Sequence, residues 1–103
     1  MNEKINIDIQ GEKIAEFCKR YHIRKLSFFG SVLRSDFNPD SDIDVLVEFE
    51  SGQSPGFLGL AHIERELSEI LEGRRVDIRT PQELSRYFRN EVISSAIIQY
   101  AEG

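Results

Sequence analysis

The feature that most limits what this chain can become is the segment Asp42-Ile43-Asp44-Val45-Leu46-Val47-Glu48-Phe49, whose residues change side with a period of two. Ile43, Val45, Val47 and Phe49 leave a strand on one face; Asp42, Asp44, Leu46 and Glu48 leave it on the other. A helix cannot separate these residues in that way. A strand with one apolar face belongs in a sheet that is covered on that face, so helices packed against this strand are required elsewhere in the chain. Turn formers, Asn38-Pro39-Asp40-Ser41, precede it, and a loop, Ser51-Gly52-Gln53-Ser54-Pro55-Gly56, follows it.

The covering helices are legible. Ile14, Phe17, Cys18 and Tyr21 recur at helical spacing, with Lys19, Arg20 and His22 in the last turn, where cations suit the helix dipole; the spacing predicts a helix over roughly 10–22. Leu60, Ile63, Leu67, Ile70 and Leu71 form a second stripe closed by Gly73. Leu26-Ser27-Phe28-Phe29 reads as a short apolar strand stopped by Gly30-Ser31, and Arg75-Val76-Asp77-Ile78-Arg79 alternates like another. Thr80-Pro81-Gln82-Glu83 supplies an N-cap, a proline at the first position and a glutamate at the third, predicting a third helix through Leu84, Tyr87 and Phe88. Its end near Ile97, Ile98 and Tyr100 fits either continued helix or a docking tail. Ile5, Ile7 and Ile9 alternate, as an edge strand or an extended arm would. The order helix, strand, strand, helix, strand, helix predicts an α/β (α+β) fold: a small mixed sheet with helices on one face and carboxylates on the other.

At 103 residues the chain suits a single domain over 1–103. No apolar run is long enough to cross a bilayer, and the first eight residues lack the pattern of a signal peptide, so the expected compartment is the cytoplasm. The net charge of -5 argues against broad binding to nucleic acid. The single cysteine, Cys18, falls on the apolar stripe of the first helix and is expected in the core. Tyr87, Phe88, Ile97, Ile98 and Tyr100 are chiefly core candidates, with a partner-facing patch as the alternative. His22 and His62 share no metal-binding spacing and are expected on helix surfaces.

Chemistry concentrates on the polar face. Asp42 and Asp44, two apart on a strand, share one side with Cα atoms ~7 Å apart. Carboxylates so placed suit magnesium, which prefers oxygen ligands and keeps part of its shell for water and substrate phosphates. Asp77 lies opposite its apolar neighbours Val76 and Ile78 and completes a triad if the two strands are adjacent; alone, it fits equally an ion pair with Arg75 or Arg79. Gly30-Ser31 stands where a strand ends, and there a backbone without a side chain, a hydroxyl and successive N–H groups can meet phosphate oxygens. Arg34, one turn further on, can neutralise triphosphate charge. In an in-line displacement two metal ions ~3.5 to 4 Å apart stabilise attacking and leaving oxygens. Each signal alone has an ordinary reading as a turn or a solvated face; their conjunction is the point.

Gly30-Ser31, ten intervening residues, then Asp42-Ile43-Asp44 resembles the signature of the DNA polymerase β type nucleotidyltransferase superfamily, in its minimal nucleotidyltransferase branch. The context extends the resemblance: Leu26 to Ser31 leading in, Arg34 after it, Pro39 to Val47 across the strand, then Val76-Asp77-Ile78. It covers the chain from about Ile14 to Tyr100. The resemblance implies that Gly30 and Ser31 hold nucleotide phosphates, that Asp42 and Asp44 bind two magnesium ions, and that Asp77 completes the catalytic triad, with ATP as substrate. Ser35 departs from the glycine that relatives often carry after the arginine. Many such proteins are antitoxins whose partner is a HEPN-domain ribonuclease toxin, some of which they silence by moving AMP from ATP onto a tyrosine. The absence of the helical domain that larger relatives carry implies that a partner supplies the acceptor. The rival readings are an inactive fold that blocks a toxin by contact, and transfer to a small molecule.

Overall fold

The computed structural model describes residue 7 and residues 9–102. Helix α1 (Gly11–Arg20) leads into strand β1 (Ile23–Phe29), a short 3-10 turn (Gly30–Leu33), strand β2 (Ile43–Phe49), helix α2 (Phe57–Ile70) and strand β3 (Val76–Arg79). A second 3-10 turn (Pro81–Glu83), helix α3 (Arg89–Ser95) and strand β4 (Ile97–Ala101) complete the chain. The sheet order is β3-β2-β1-β4, with β2 and β3 parallel and the other pairs antiparallel. This is the mixed sheet that the sequence predicts.

The two faces of β2 divide as expected. Ile43, Val45 and Val47 are fully buried, alongside Leu26 and Phe28 of β1 and Ile78 of β3. Ile14, Phe17 and Cys18 of α1 and Ile63 and Leu67 of α2 close over them. Burying that many branched and aromatic side chains is the main driving force for a domain of this size. The Tyr21 hydroxyl donates to Glu66, which also pairs with Arg20, so a polar clasp ties the end of α1 to α2.

The end of α2 sets up β3. Glu72 and Gly73 take positive φ (65° and 80°), and the Gly73 N–H donates to the Ser68 carbonyl at 2.8 Å. The chain then reverses, and the Glu64 carboxylate accepts the Ile78 N–H at 2.9 Å, occupying the outer edge of β3. An edge strand whose free amide is taken by its own helix is held in one register.

Two expectations need correction. The capping box forms, with the Thr80 N–H on the Glu83 carboxylate at 3.0 Å, but it caps one 3-10 turn and not a long helix. Leu84 leaves helical backbone (φ -80°, ψ 142°) and is 8% exposed, and the helix starts afresh at Arg89. Burial of Leu84 overrides local helix propensity. The run after Ala96 is neither helix nor tail: Ile97–Ala101 pairs with β1, Ile97 opposite Phe28 and Tyr100 opposite Leu26. Of the core candidates there, Tyr100 packs partly against the core, whereas Tyr87, Phe88 and Ile98 are 92%, 47% and 54% exposed. The break in the helix turns Tyr87 and Phe88 outward. Ile5 of the amino-terminal alternation lies outside the described residues; Ile7 and Ile9 lean on the core without joining a strand.

Candidate active site

The carboxylates meet because β3 lies beside β2 in parallel, with Asp77 opposite Asp44 and Val76 opposite Ile43. On the other side of β2, Phe29 lies opposite Asp44, so β1 ends beside the same carboxylate. Gly30 follows, with φ 76°, a conformation that costs a residue with a side chain. It also lacks the room for one: a Cβ there would lie 2.3 Å from Asp44 Oδ2 and 3.1 Å from its Cγ. Glycine is therefore required twice, for the turn and for the carboxylate that rests on it.

Ser31 joins the two halves of the site. Its backbone amide donates to the Asp44 carboxylate, and its hydroxyl donates to the Asp42 carbonyl at 3.0 Å. The phosphate-type turn and the acidic strand are thus hydrogen-bonded into one unit. Arg34 closes the turn, its N–H on the Ser31 carbonyl at 2.9 Å, and its side-chain Nε lies 3.4 Å from Asp36.

Electrostatics single out Asp44. Burial holds its carboxyl above the usual carboxylate range, and the charges of Asp77 and Asp42 push the same way. The Ser31 amide and Arg79 oppose the rise. The outer carboxylates are differently placed: Asp42 Oδ1 lies 3.0 Å from Arg75 Nε, and Asp77 Oδ2 accepts from Arg79 at 3.1 Å. Among the described residues, no three His, Cys, Asp or Glu side chains stand as a ready cage for a metal ion. Asp42 and Asp77 each stand against an arginine. Yet a half-buried carboxyl raised by two like neighbours is short of positive charge, and an all-oxygen donor set suits magnesium.

Sequence reasoning named Gly30, Ser31, Arg34, Asp42, Asp44 and Asp77; the fold sets Gly30 against Asp44, Ser31 against Asp42 and Asp77 opposite Asp44, while the Arg34 side chain lies beside Asp36. Asp77 pairs with Arg79, one of the two partners its spacing offered. Arg75 was missed as a neighbour of Asp42; the signal was its place two residues before Asp77, where β3 is about to begin. An open cleft lined by Asp42, Asp77, Arg75 and, from α2, Ala61, Glu64, Arg65 and Ser68 runs beside these carboxylates. His22 and His62 stand apart from the site, His22 on the surface near Glu50 and His62 against Tyr21.

Residues 12–99 match the model of the nucleotidyltransferase domain family. A Methanocaldococcus jannaschii protein described provisionally as a protein adenylyltransferase is 32% identical over 93 residues, covering 90% of this chain and 97% of its own. The protein adenylyltransferase MntA of Thermococcus cleftensis is 38% identical over 63 residues, 61% of each chain. A solved structure described provisionally as a minimal nucleotidyltransferase is 35% identical, covers 85% of this chain and 87% of that one, and superposes with a TM-score of 0.70. A toxin–antitoxin complex with AMP-PNP shares the fold at 17% identity, with a TM-score of 0.71 over 90% of this chain and 74% of that one.

Proposed function

This chain belongs to the nucleotidyltransferase domain family, and from that premise we propose that it is a magnesium-dependent protein adenylyltransferase and the antitoxin of a HEPN-domain ribonuclease. It moves AMP from ATP to a tyrosine hydroxyl of that toxin and so silences it. The observation that carries this reading is the Asp44–Asp77 pair across parallel strands, with Asp42 two residues before Asp44 and Gly30-Ser31 bonded against both. Names of relatives support the acceptor class: two are protein adenylyltransferases, one provisionally so. A structural neighbour at 17% identity is a tri-AMPylated HEPN toxin with its minimal nucleotidyltransferase antitoxin.

The residues divide the work as follows. Gly30 and Ser31 present a turn on which triphosphate oxygens can rest without a side chain in the way. Asp42, Asp44 and Asp77 would hold magnesium, which when bound neutralises the triphosphate and favours displacement at the α-phosphorus. Asp77 faces the acceptor side and receives the proton of the attacking hydroxyl. The new bond joins that oxygen to the α-phosphorus, and pyrophosphate leaves with the electrons of the broken P–O bond. Among the described residues no helix is long and apolar enough to cross a membrane, and a ribonuclease partner sets the reaction in the cytoplasm.

Mass spectrometry of the toxin, after incubation with this protein with and without ATP and magnesium, tests the proposal. The expected result is one or more additions of AMP on tyrosine, lost with Asp77→Asn, and a toxin that stays silent after separation. An unmodified but fully inhibited toxin in every sample would make this a contact inhibitor.

A further inference from the structure

Asp42 enters the site from a segment, residues 34–42, that holds no helix or strand, so something else must fix where its carboxylate stands. Two consecutive arginines just before β3 do so. Arg74 donates from its terminal nitrogen to the Asn38 carbonyl at 2.9 Å, and its guanidinium carbon lies 4.5 Å from the centre of the Phe37 ring. Arg75 donates to the Asp40 carbonyl at 2.9 Å while its Nε lies 3.0 Å from Asp42 Oδ1. The Arg75 carbonyl then accepts the Ile43 N–H at 2.8 Å. Five successive grips, on Phe37, Asn38, Asp40, Asp42 and Ile43, thus come from two residues. Between them the loop braces itself, with the Ser41 N–H on the Asn38 carbonyl at 2.9 Å and the Asp40 N–H on the Asn38 side chain at 2.8 Å. Because the Ser31 hydroxyl bonds the Asp42 carbonyl, the position of this loop reaches the phosphate turn as well.

We propose that Arg74 and Arg75 are positioning residues for nucleotidyl transfer: they fasten the 37–42 loop to β3 and so set the Asp42 carboxylate and the Ser31 turn at the spacing the reaction needs. The proposal rests on Asp42 being a cation ligand. A planar guanidinium suits the task, since its fork reaches a backbone carbonyl and a carboxylate at once, which an ammonium cannot do. Bulk stability is a poor measure of this role. The Arg75 side chain is 75% exposed, and a solvated ion pair contributes little to folding.

The test is a Mn2+ titration of the whole chain without ATP or partner, comparing the parent with Arg74→Ala, Arg75→Ala, Arg75→Lys and Asp42→Ala. Amide hydrogen exchange shows in each case that β1 and β2 remain folded. Both alanine variants should bind Mn2+ about tenfold more weakly, at the low end of what loss of a ligand's outer partner does. Exchange should quicken at residues 37–42, and lysine at 75 should restore part of the affinity. Arg74 is the sharper probe, because it grips the Asn38 carbonyl and the Phe37 ring and not Asp42 itself. In transfer assays kcat should fall while KM for ATP holds. Unchanged or tighter Mn2+ binding in the alanine variants would reduce Arg75 to a competing cation and overturn the proposal. A raised KM with kcat intact would instead make Arg75 a phosphate ligand and overturn it too. If Asp42→Ala binds Mn2+ as the parent does, the site itself has been misread, and the proposal falls with it.

Discussion

Replacing Gly30 by alanine separates the backbone role of that glycine from its role toward Asp44. The backbone part follows from φ 76°: a residue with a Cβ in the left-handed region costs roughly 1–2 kcal/mol. For a domain of about this size that corresponds to a fall in Tm on the order of 5–15 °C. The second part is steric. The new Cβ would lie 2.3 Å from Asp44 Oδ2, 3.1 Å from Cγ and 3.3 Å from Cβ, so the carboxylate has to swing away by something like 1 Å to reach an ordinary contact. Asp44 is already disfavoured where it stands, by burial and by the charges of Asp77 and Asp42. Moving it therefore adds little to the stability loss. Chemistry should respond instead, since a misplacement of about 1 Å costs around a hundredfold in rate. Gly52 provides the control, because it has φ 77° and nothing within 4 Å of where its Cβ would be. Thermal unfolding of Gly30→Ala and Gly52→Ala should show similar losses. AMP transfer should fall about a hundredfold in the first and stay at the parent rate in the second. Equal transfer by the two variants, both folded, would refute the claim that Gly30 is required by the carboxylate beside it.

Asp44→Asn should leave stability unchanged or raise it at neutral pH while abolishing transfer. The reason is the raised carboxyl: a group that binds its proton more readily folded than unfolded gains stability as pH falls through its raised value toward the ordinary carboxylate range. Urea titrations from neutral to mildly acidic pH should show that gain in the parent and not in the variant. Cys18, fully buried and with its thiol pushed up to about 12 by burial, should resist iodoacetamide at pH 8 in the native protein and react once urea unfolds it. Mass measurement of the labelled fraction decides, and rapid native labelling would contradict its place in the core. Glu64→Ala leaves the Ile78 N–H without its carboxylate at the edge of β3, at a cost of about 1.5 kcal/mol measured by urea unfolding. Hydrogen exchange at Ile78 should rise with it; an unchanged rate would mean that the edge is held by other means.

What the sequence determined by itself was the face on which each side chain stands. The alternation from Asp42 to Phe49 and the stripes through Ile14, Phe17 and Cys18 and through Ile63 and Leu67 are local patterns. Any fold that buries their apolar sides must put Asp44 on the far face of β2, with Asp42 just before the strand begins. Gly30-Ser31 was legible for a similar reason, since a strand that stops at glycine has few other conformations open to it. Tertiary structure decided which strands are neighbours. Asp77 counts for the site only because β3 lies parallel to β2 in the register that sets it opposite Asp44, and no residue near Asp77 encodes that pairing. The same holds for Arg75, whose reach to Asp42 crosses from the residue before one strand to the loop before another. Ile97–Ala101 is the extreme case. Five residues without a clear period took their strand form from hydrogen bonds to β1, some seventy residues earlier in the chain, because a backbone amide beside an open sheet edge is best satisfied by extending that sheet.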